Sequence, residues 1–192
     1  MLVRHSQTSW SVTGQHTGRT DLPLTEAGRA LTRPLADRLA GRTFGHVVTS
    51  PLRRAVETAE IAGFGGAEVV DDLREWDYGD FEGLTTAEIH ARQPGWDLWV
   101  DGGPGGDTPA DAVERIDQVI DRLLAARPAG GDALVFSHGH TLRALAVRWL
   151  ELPITEGNRF VLDTGSVSVL GWKRGVRALE SWNDTSHLHD VP

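Results

Sequence analysis

The sequence contains no cysteine among its 192 residues. The lack of thiols excludes disulfide bonds, thiolate metal sites and a cysteine nucleophile. No apolar run approaches the roughly 18 residues that a membrane-spanning helix requires. The first residues also lack the basic segment and apolar core of a secretory signal. We therefore expect a cytoplasmic protein without a membrane partner.

Positive charge is scarce, because 19 Lys and Arg residues stand against 27 Asp and Glu residues, for a formal net charge of −8. Nucleic-acid binding depends on a basic surface, so this balance argues against a nucleic-acid partner. Hydrophobic residues make up 40% of the chain, which is ordinary for a globular protein. The length suits one well-buried domain, and we expect residues 1–192 to form a single domain.

Short apolar runs alternate along the chain with segments of helical period. The runs that predict strands are residues 2–5, 46–49, 134–136, 166–170 and 177–181. Start signals and period predict helices over 25–40 with a kink at Pro34, from Pro51, from Thr108-Pro109, and after His140. Strands that alternate with helices indicate an α/β fold in which a sheet lies between helices.

Two of the apolar runs end abruptly in a histidine. His5 follows residues 2–4, and His138 follows residues 134–137. A residue at the tip of a buried strand lies at the sheet edge, where α/β proteins bind their ligands. Arg4 lies among apolar neighbours, and because an unpaired buried charge is costly, it requires an anion from the fold or from a ligand. The two tips predict one pocket built from both strands.

Other polar side chains are suited to phosphate chemistry. Arg54 lies in the first turn of its predicted helix and, unlike Arg53 with Glu57, has no acidic residue four positions further on; its guanidinium fork matches phosphate oxygens. Glu75 and Glu82 are both candidates for the proton donor that the leaving group of a phosphomonoester needs, and spacing does not choose between them. His140 is a weaker candidate, because it fits equally a helix cap or a solvent-facing residue.

Together these segments resemble the histidine phosphatase superfamily, in its phosphoglycerate-mutase-like branch. The motifs occur in the expected order at residues 4–5, 50–55, 73–83 and 137–139, with further agreement at 15–18 and 21–28. Within the family, residues 75–83 and 137–140 look most like bacterial acid phosphatases and sugar-bisphosphate phosphatases. Ser6 departs from the pattern, because the family usually has glycine there. Serine at that position either crowds the pocket or donates one more hydrogen bond.

The resemblance implies a single-domain, three-layer α/β/α sandwich with a mostly parallel central sheet. It also implies a metal-independent phosphatase that acts on small phosphomonoesters, including sugar phosphates or bisphosphates, without a cofactor. In this reading His5 becomes phosphohistidine and Glu75 is the general acid and base. The remaining residues implied at the phosphate or substrate are Arg4, Arg54, His138, Gln7, Thr17, Gly18 and Gly139.

Three other functions stay open. A phosphoglycerate mutase would retain the phosphohistidine until the phosphate returns to substrate, and a non-catalytic phospholigand-binding module has Ser6 as its only support. A metal hydrolase would use His5, His138 and His140, although the neighbouring arginines would repel a metal ion. The sequence fixes neither the substrate, nor the pH optimum, nor the oligomeric state, and its apolar strand edges are compatible with a homodimer.

Overall fold

Four parallel strands end at one edge of a six-stranded mixed sheet. The computed structural model describes residues 1–126 and 131–188. Its strands are β1 Leu2–Arg4, β2 Phe44–Thr49, β3 Glu68–Val69, β4 Asp132–Ser137, β5 Val167–Lys173 and β6 Val176–Asp184. In the order β3-β2-β4-β1-β5-β6, the first four are parallel, whereas β5 pairs antiparallel with β1 and β6. The predicted α/β fold with a mostly parallel sheet is confirmed.

The described residues form seven α-helices. They are α1 Ser9–Thr13, α2 Glu26–Leu39, α3 Arg53–Ile61, α4 Thr86–Arg92, α5 Leu98–Asp101, α6 Pro109–Ala126 and α7 Gly139–Trp149. Two predicted starts are wrong. The backbone is still extended at Leu52, so α3 begins at Arg53 and not at Pro51. His138 is itself the N-cap of α7, which therefore begins before His140. None of the helices within the described ranges is long and apolar enough to cross a bilayer.

Two hydrophobic clusters lie on opposite faces of the sheet. Successive side chains of a strand point to opposite faces, so neighbouring strand residues belong to different clusters. One cluster joins α2 and α3 to the sheet through Leu35, Leu39, Ala59, Val3, Leu134 and Phe136. The other joins α6 and α7 to the sheet through Ile116, Ile120, Leu142, Leu145, Leu2 and Val135. The layers are therefore helix, sheet and helix.

A buried arginine of α6 ties that helix to the segment leading to Glu75. The Nη1 of Arg115 donates to the Arg74 carbonyl at 2.8 Å, and its Nη2 donates to the Asp107 carboxylate at 2.8 Å. Arg115 is only 7% exposed. The Thr141 hydroxyl of α7 donates to the same Arg74 carbonyl at 2.7 Å. The segment is thereby fixed between α6 and α7.

Substitution Arg115→Met is expected to lower the free energy of unfolding by about 3 kcal/mol, because the largely buried Asp107 carboxylate loses its cationic partner. Urea unfolding at pH 7 measures the change. The matched control is Arg122→Met on the same helix, where the ion pair with Glu68 is about half exposed. That variant is expected to lose less than about 1 kcal/mol. Equal losses in the two variants would contradict a stabilising role for the Arg115 contacts.

Candidate active site

The two histidine-tipped strands lie side by side. β1 and β4 pair in parallel with Arg4 opposite Ser137. The backbone N–H of His5 then donates to the Ser137 carbonyl at 2.9 Å. As a result the imidazole rings of His5 and His138 lie next to each other, with centroids 5.1 Å apart. The two strand ends that the sequence predicts to form one pocket therefore lie next to each other in the structure.

The His5 ring is held as a neutral imidazole with a free lone pair. Its Nδ1 lies 2.7 Å from the carbonyl oxygen of Ser6. Because a carbonyl only accepts, Nδ1 carries the proton and Nε2 keeps its lone pair. Burial, and then the positive charges of Arg54 and Arg4, lower the pKa of His5 well below its usual value. This neutral form is the one that a nucleophilic histidine requires.

Arg54 and His138 form a buried pair behind His5. The Nε of Arg54 donates to Nδ1 of His138 at 3.1 Å, so the His138 proton is on Nε2, which lies 2.6 Å from the Ser50 hydroxyl. Burial, and then Arg54, lower the pKa of His138 well below its usual value. Other guanidinium N–H groups of Arg54 donate, at 3.0 to 3.2 Å, to the carbonyls of Thr17, Gly18 and Thr20.

Neither Arg4 nor Arg54 forms an ion pair with a carboxylate anywhere in residues 1–126 and 131–188. Arg4 donates from Nη1 to the Leu162 carbonyl. Its buried Nε has no hydrogen-bond partner within those same ranges. Burial lowers the pKa of both arginines from the usual value. A buried N–H without an acceptor is costly, so this wall favours binding of an anion.

The Glu75 carboxylate is held at the start of α7. Its Oε1 accepts hydrogen bonds from the backbone N–H groups of Trp76 and Thr141, at 3.0 and 2.9 Å. It also lies 3.0 Å from the Thr141 hydroxyl, whose single proton goes to the nearer Arg74 carbonyl. Its Oε2 accepts from the backbone N–H of His140 at 3.1 Å. The carboxylate is therefore fixed by two backbone donors on Oε1 and one on Oε2. Oε2 is the oxygen with capacity for a further partner.

A cavity of about 180 Å³ opens at this sheet edge. Its wall includes five of the residues that the sequence places at the site: Arg4, His5, Thr17, Glu75 and Gly139. The other wall residues are Thr8, Ser11, Gly14, Gln15, His16, Tyr78, His140, Arg143 and Leu162. Arg54 and His138 are not part of the wall, because both are fully buried behind His5. Glu75 is the only acidic residue of this wall.

Three residues that the sequence places near substrate hold loops instead. The Gln7 side chain accepts a hydrogen bond from the Thr25 hydroxyl at 2.9 Å. Gly18 donates its backbone N–H to the Glu82 carboxylate at 2.9 Å, and a Cβ at Gly18 would lie 2.5 Å from the Trp76 carbonyl. None of Gln7, Gly18 and Glu82 lines the cavity. The structure thus favours Glu75 over Glu82 as the carboxyl that can reach a substrate.

Ser6 does not point into the cavity. Its hydroxyl therefore neither crowds the pocket nor donates a hydrogen bond into it, contrary to both expectations. Its Oγ is buried beside Gly165 and has no hydrogen-bond partner within the described ranges. The Ser6 backbone is not in the left-handed region that favours glycine. The close approach occurs instead at Gly139, where a Cβ would lie 3.3 Å from Cζ of Arg4.

The histidines of the metal-hydrolase alternative are each engaged by the protein. Nδ1 of His5 faces the Ser6 carbonyl, Nδ1 of His138 faces Arg54, and Nδ1 of His140 lies 2.7 Å from the Tyr78 hydroxyl. Across residues 1–126 and 131–188, no group of three or more His, Cys, Asp or Glu side chains is arranged to hold a metal ion. The three histidines therefore do not form a ligand triad in this arrangement.

Sequence reasoning missed, or ranked low, four titratable residues of the cavity wall: His16, Tyr78, His140 and Arg143. His140 and Arg143 are three residues apart in α7, which places them on one helix face. That spacing in the sequence already indicates that His140 and Arg143 lie on the same side of the helix. The positions of His16 and Tyr78 carry no such signal, because both lie in irregular segments that reach the cavity only through the tertiary fold.

The chain is similar to known phosphatases and phosphoglycerate mutases. The family model of the histidine phosphatase superfamily (branch 1) matches residues 1–185. An acid phosphatase of Mycobacterium tuberculosis is 40% identical, over 100% of this chain and 95% of that protein. A probable phosphoglycerate mutase of Yersinia enterocolitica is 34% identical, over 100% of this chain and 94% of that protein. A solved Mycobacterium tuberculosis structure superposes with a TM-score of 0.90 at 39% identity, covering 95% of each chain.

The buried neutral histidines are expected to make stability depend on pH. Burial is the main cause that lowers the pKa values of His5, His138 and His140 well below 6.5, whereas the unfolded chain binds protons near that pH. The unfolded state then holds more protons in acid, so stability falls as pH drops below about 6.5, by at most about 1.4 kcal/mol per histidine and pH unit. Urea unfolding between pH 7.5 and 5.5 measures this slope.

The variant His140→Gln removes one of these titrating groups and is expected to make the slope shallower. Stability that does not change between pH 7.5 and 5.5 in the unsubstituted protein would contradict the assignment of neutral buried rings.

Proposed function

Because the chain belongs to branch 1 of the histidine phosphatase superfamily, we propose that it hydrolyses small phosphomonoesters through a phosphohistidine on His5, without a metal ion. One observation carries the proposal: a neutral His5 with a free Nε2 lies beside Arg4, whose buried Nε has no partner within the described ranges. The identity of 40% to an acid phosphatase over the whole chain supports a phosphatase. Sugar phosphates and bisphosphates are the proposed substrate classes.

In the first step, Nε2 of His5 attacks phosphorus in line. The bond from phosphorus to the ester oxygen breaks, and the leaving oxygen takes a proton from Glu75. Arg4 supplies its unpaired Nε–H to the nonbridging oxygens. Arg54 lies outside the cavity wall, contributes its positive charge from behind His5, and keeps one guanidinium N–H that neither His138 nor a loop carbonyl accepts. His138 lies beside the His5 ring and orients Arg54 through its Nδ1. This arrangement stabilises the charge of the transferring group.

In the second step, water attacks the phosphohistidine. Glu75 takes the proton of this water, the phosphorus–nitrogen bond breaks, and inorganic phosphate leaves while His5 returns to its neutral state. Oε2 of Glu75 is the oxygen assigned to both proton transfers, because Oε1 already accepts two backbone hydrogen bonds and Oε2 only one. Thr17 and the backbone of Gly139 complete the cavity around the phosphate.

The variant His5→Ala is expected to lose p-nitrophenyl phosphate turnover by at least about 10³-fold, because the nucleophile is removed. Phosphate release is measured from pH 5 to 7.5 in the presence of a chelator. The control is His46→Ala, a histidine bound to Glu68 on another part of the sheet. Undiminished turnover in His5→Ala, or loss of wild-type activity with the chelator, would sink the scheme. A long-lived phosphoenzyme whose formation depends on a bisphosphate primer would favour the mutase.

The variant Glu75→Gln separates the two steps. Because p-nitrophenolate leaves without a proton, we expect a burst of one equivalent per enzyme followed by slow turnover, about 10²- to 10⁴-fold below wild type. An alkyl phosphate, whose leaving oxygen needs the proton, is expected to give no burst. Rapid mixing of enzyme and substrate measures both, and Glu114→Gln on the exposed face of α6 is the control. A burst of equal rate with both substrates would refute the assignment of Glu75 as proton donor.

A further inference from the structure

Three other parts of the fold hold the backbone of His5 and Ser6. The His5 N–H donates to the Ser137 carbonyl at 2.9 Å, and the His5 carbonyl accepts from the Gly165 N–H at 3.1 Å. Both of these contacts join backbone groups. The Ser6 N–H donates instead to the side-chain hydroxyl of Thr58, at 3.2 Å. That hydroxyl is its only acceptor within the described ranges, so a single side chain decides whether the Ser6 N–H is paired.

The Thr58 hydroxyl is fixed by the helix that carries it. It donates its proton to the Arg54 carbonyl, one turn earlier in α3, at 2.7 Å. Because a hydroxyl has one proton, the oxygen presents only lone pairs to the Ser6 N–H. Thr58 and Ser6 are both buried. Without this hydroxyl the Ser6 N–H would be a buried donor that lacks a partner, which is costly.

Ser6 in turn orients the imidazole ring of His5. The Ser6 carbonyl accepts from Nδ1 of His5 at 2.7 Å, and this bond keeps the proton on Nδ1 and the lone pair on Nε2. The place of that carbonyl depends on where the Ser6 backbone is held. The Thr58 hydroxyl therefore acts on the His5 ring through the two backbone polar groups of Ser6.

The same hydroxyl joins the His5 segment to the buried cation of the site. The carbonyl that accepts its proton belongs to Arg54, whose guanidinium donates to His138. A shift of Ser6 relative to Arg54 would therefore change the distance between the His5 ring and this charge. Thr58 does not line the cavity within the described part of the chain, so it acts on the reaction only through the groups that it holds.

We propose that the Thr58 hydroxyl is a positioning group for the nucleophile, and that it aims the His5 lone pair at phosphorus by tying the Ser6 N–H to the Arg54 carbonyl. This inference rests on the proposed function, because it takes His5 to be the nucleophile. It assigns Thr58 no contact with the substrate. Loss of the hydroxyl should therefore slow the attack on phosphorus far more than it weakens phosphate binding, since a small misplacement of a reacting group lowers the rate steeply.

Single-turnover kinetics and calorimetry measure these two effects separately. With enzyme in excess over p-nitrophenyl phosphate, the limiting rate of p-nitrophenolate release reports the attack by His5. Titration with methylphosphonate reports the affinity for the phosphate group. In Thr58→Val, which keeps the shape of the side chain and removes the hydroxyl, we expect the limiting rate to fall about 10- to 100-fold and the dissociation constant of methylphosphonate to change less than about threefold.

The variant Thr58→Ser restores the hydroxyl and is expected to keep the limiting rate within about threefold of wild type. The matched control is Thr32→Val in α2. Thr32 is also buried, and its hydroxyl donates to the Gly28 carbonyl one turn earlier at 2.8 Å, but in the described part of the chain it accepts no N–H of residues 5–7. We expect this control to leave both the limiting rate and the affinity unchanged.

Circular dichroism checks that each variant is folded. If Thr58→Val does not fold, Thr58→Ala takes its place, with an expected fall in the limiting rate of at least about fivefold. A folded Thr58→Val or Thr58→Ala protein with the wild-type rate would overturn the positioning role. So would losses of rate and affinity in equal proportion that Thr58→Ser does not relieve, because these would indicate that Thr58 only supports the packing.

The same measurements separate this inference from the proposed function. If the wild-type protein is active, His5→Ala is inactive and the Thr58 variants without a hydroxyl are as fast as wild type, the positioning role is wrong and the phosphatase assignment stands. If the wild-type protein neither releases p-nitrophenolate nor binds methylphosphonate, the phosphate site itself is wrong, and the positioning role falls with it.

Discussion

The positions of the reactive side chains depend on the parallel pairing of β4 with its two neighbours. In that register Arg4 lies opposite Ser137 on one side, and Thr49 lies opposite Phe136 on the other. Parallel strands all end at the same edge, so three chain segments leave the sheet together. His5 follows β1 at once, His138 follows β4 at once, and Arg54 lies in the first turn of α3, which follows β2. A slip of one residue between β1 and β4 would turn Val3 and its neighbours to the wrong face and separate the two histidines.

A chain of hydrogen bonds orients the buried cation beneath these strand ends. The Glu82 carboxylate accepts the backbone N–H groups of Gly18 and Thr20, and the carbonyls of those residues accept from Arg54, which donates in turn to His138. Carbonyl dipoles thus stabilise the Arg54 guanidinium, which forms no ion pair with a carboxylate of residues 1–126 and 131–188. A phosphate therefore does not have to displace an internal anion. Glu82 belongs to the site as the residue that shapes this loop, at a distance from the substrate.

The sequence allows the prediction of the layers and of the strand tips, because long periodic helices and apolar runs are local signals. It does not predict α1, α4, α5 or β3, which are too short to show a period. Apolar spacing also does not predict that Arg115 is buried while Val113 on the same helix is only partly buried. The Arg115 guanidinium is buried because it binds carbonyl and carboxylate partners in another segment. The resemblance to a family locates Gln7 and Gly18 in the right region. It does not say whether their contacts are with a substrate or with a loop, which depends on side-chain directions that only the tertiary structure fixes.

The segment from Gly157 to Leu162 links the two halves of the cavity. The Leu162 carbonyl accepts from Arg4, and the Gly157 carbonyl accepts from Arg143. Both acceptors belong to one short stretch of chain. The distance between the Arg4 and Arg143 guanidinium groups therefore depends on the conformation of this stretch and on α7. Gly139, which lies against Arg4, and Arg143 are about 6 Å apart along that helix. Because α7 also begins at the His138 cap, its position is tied to the proposed phosphate site. The 157–162 segment is tied to the same site at its Leu162 end through Arg4, whereas its Gly157 end contacts Arg143, which has no part in the proposed phosphate chemistry.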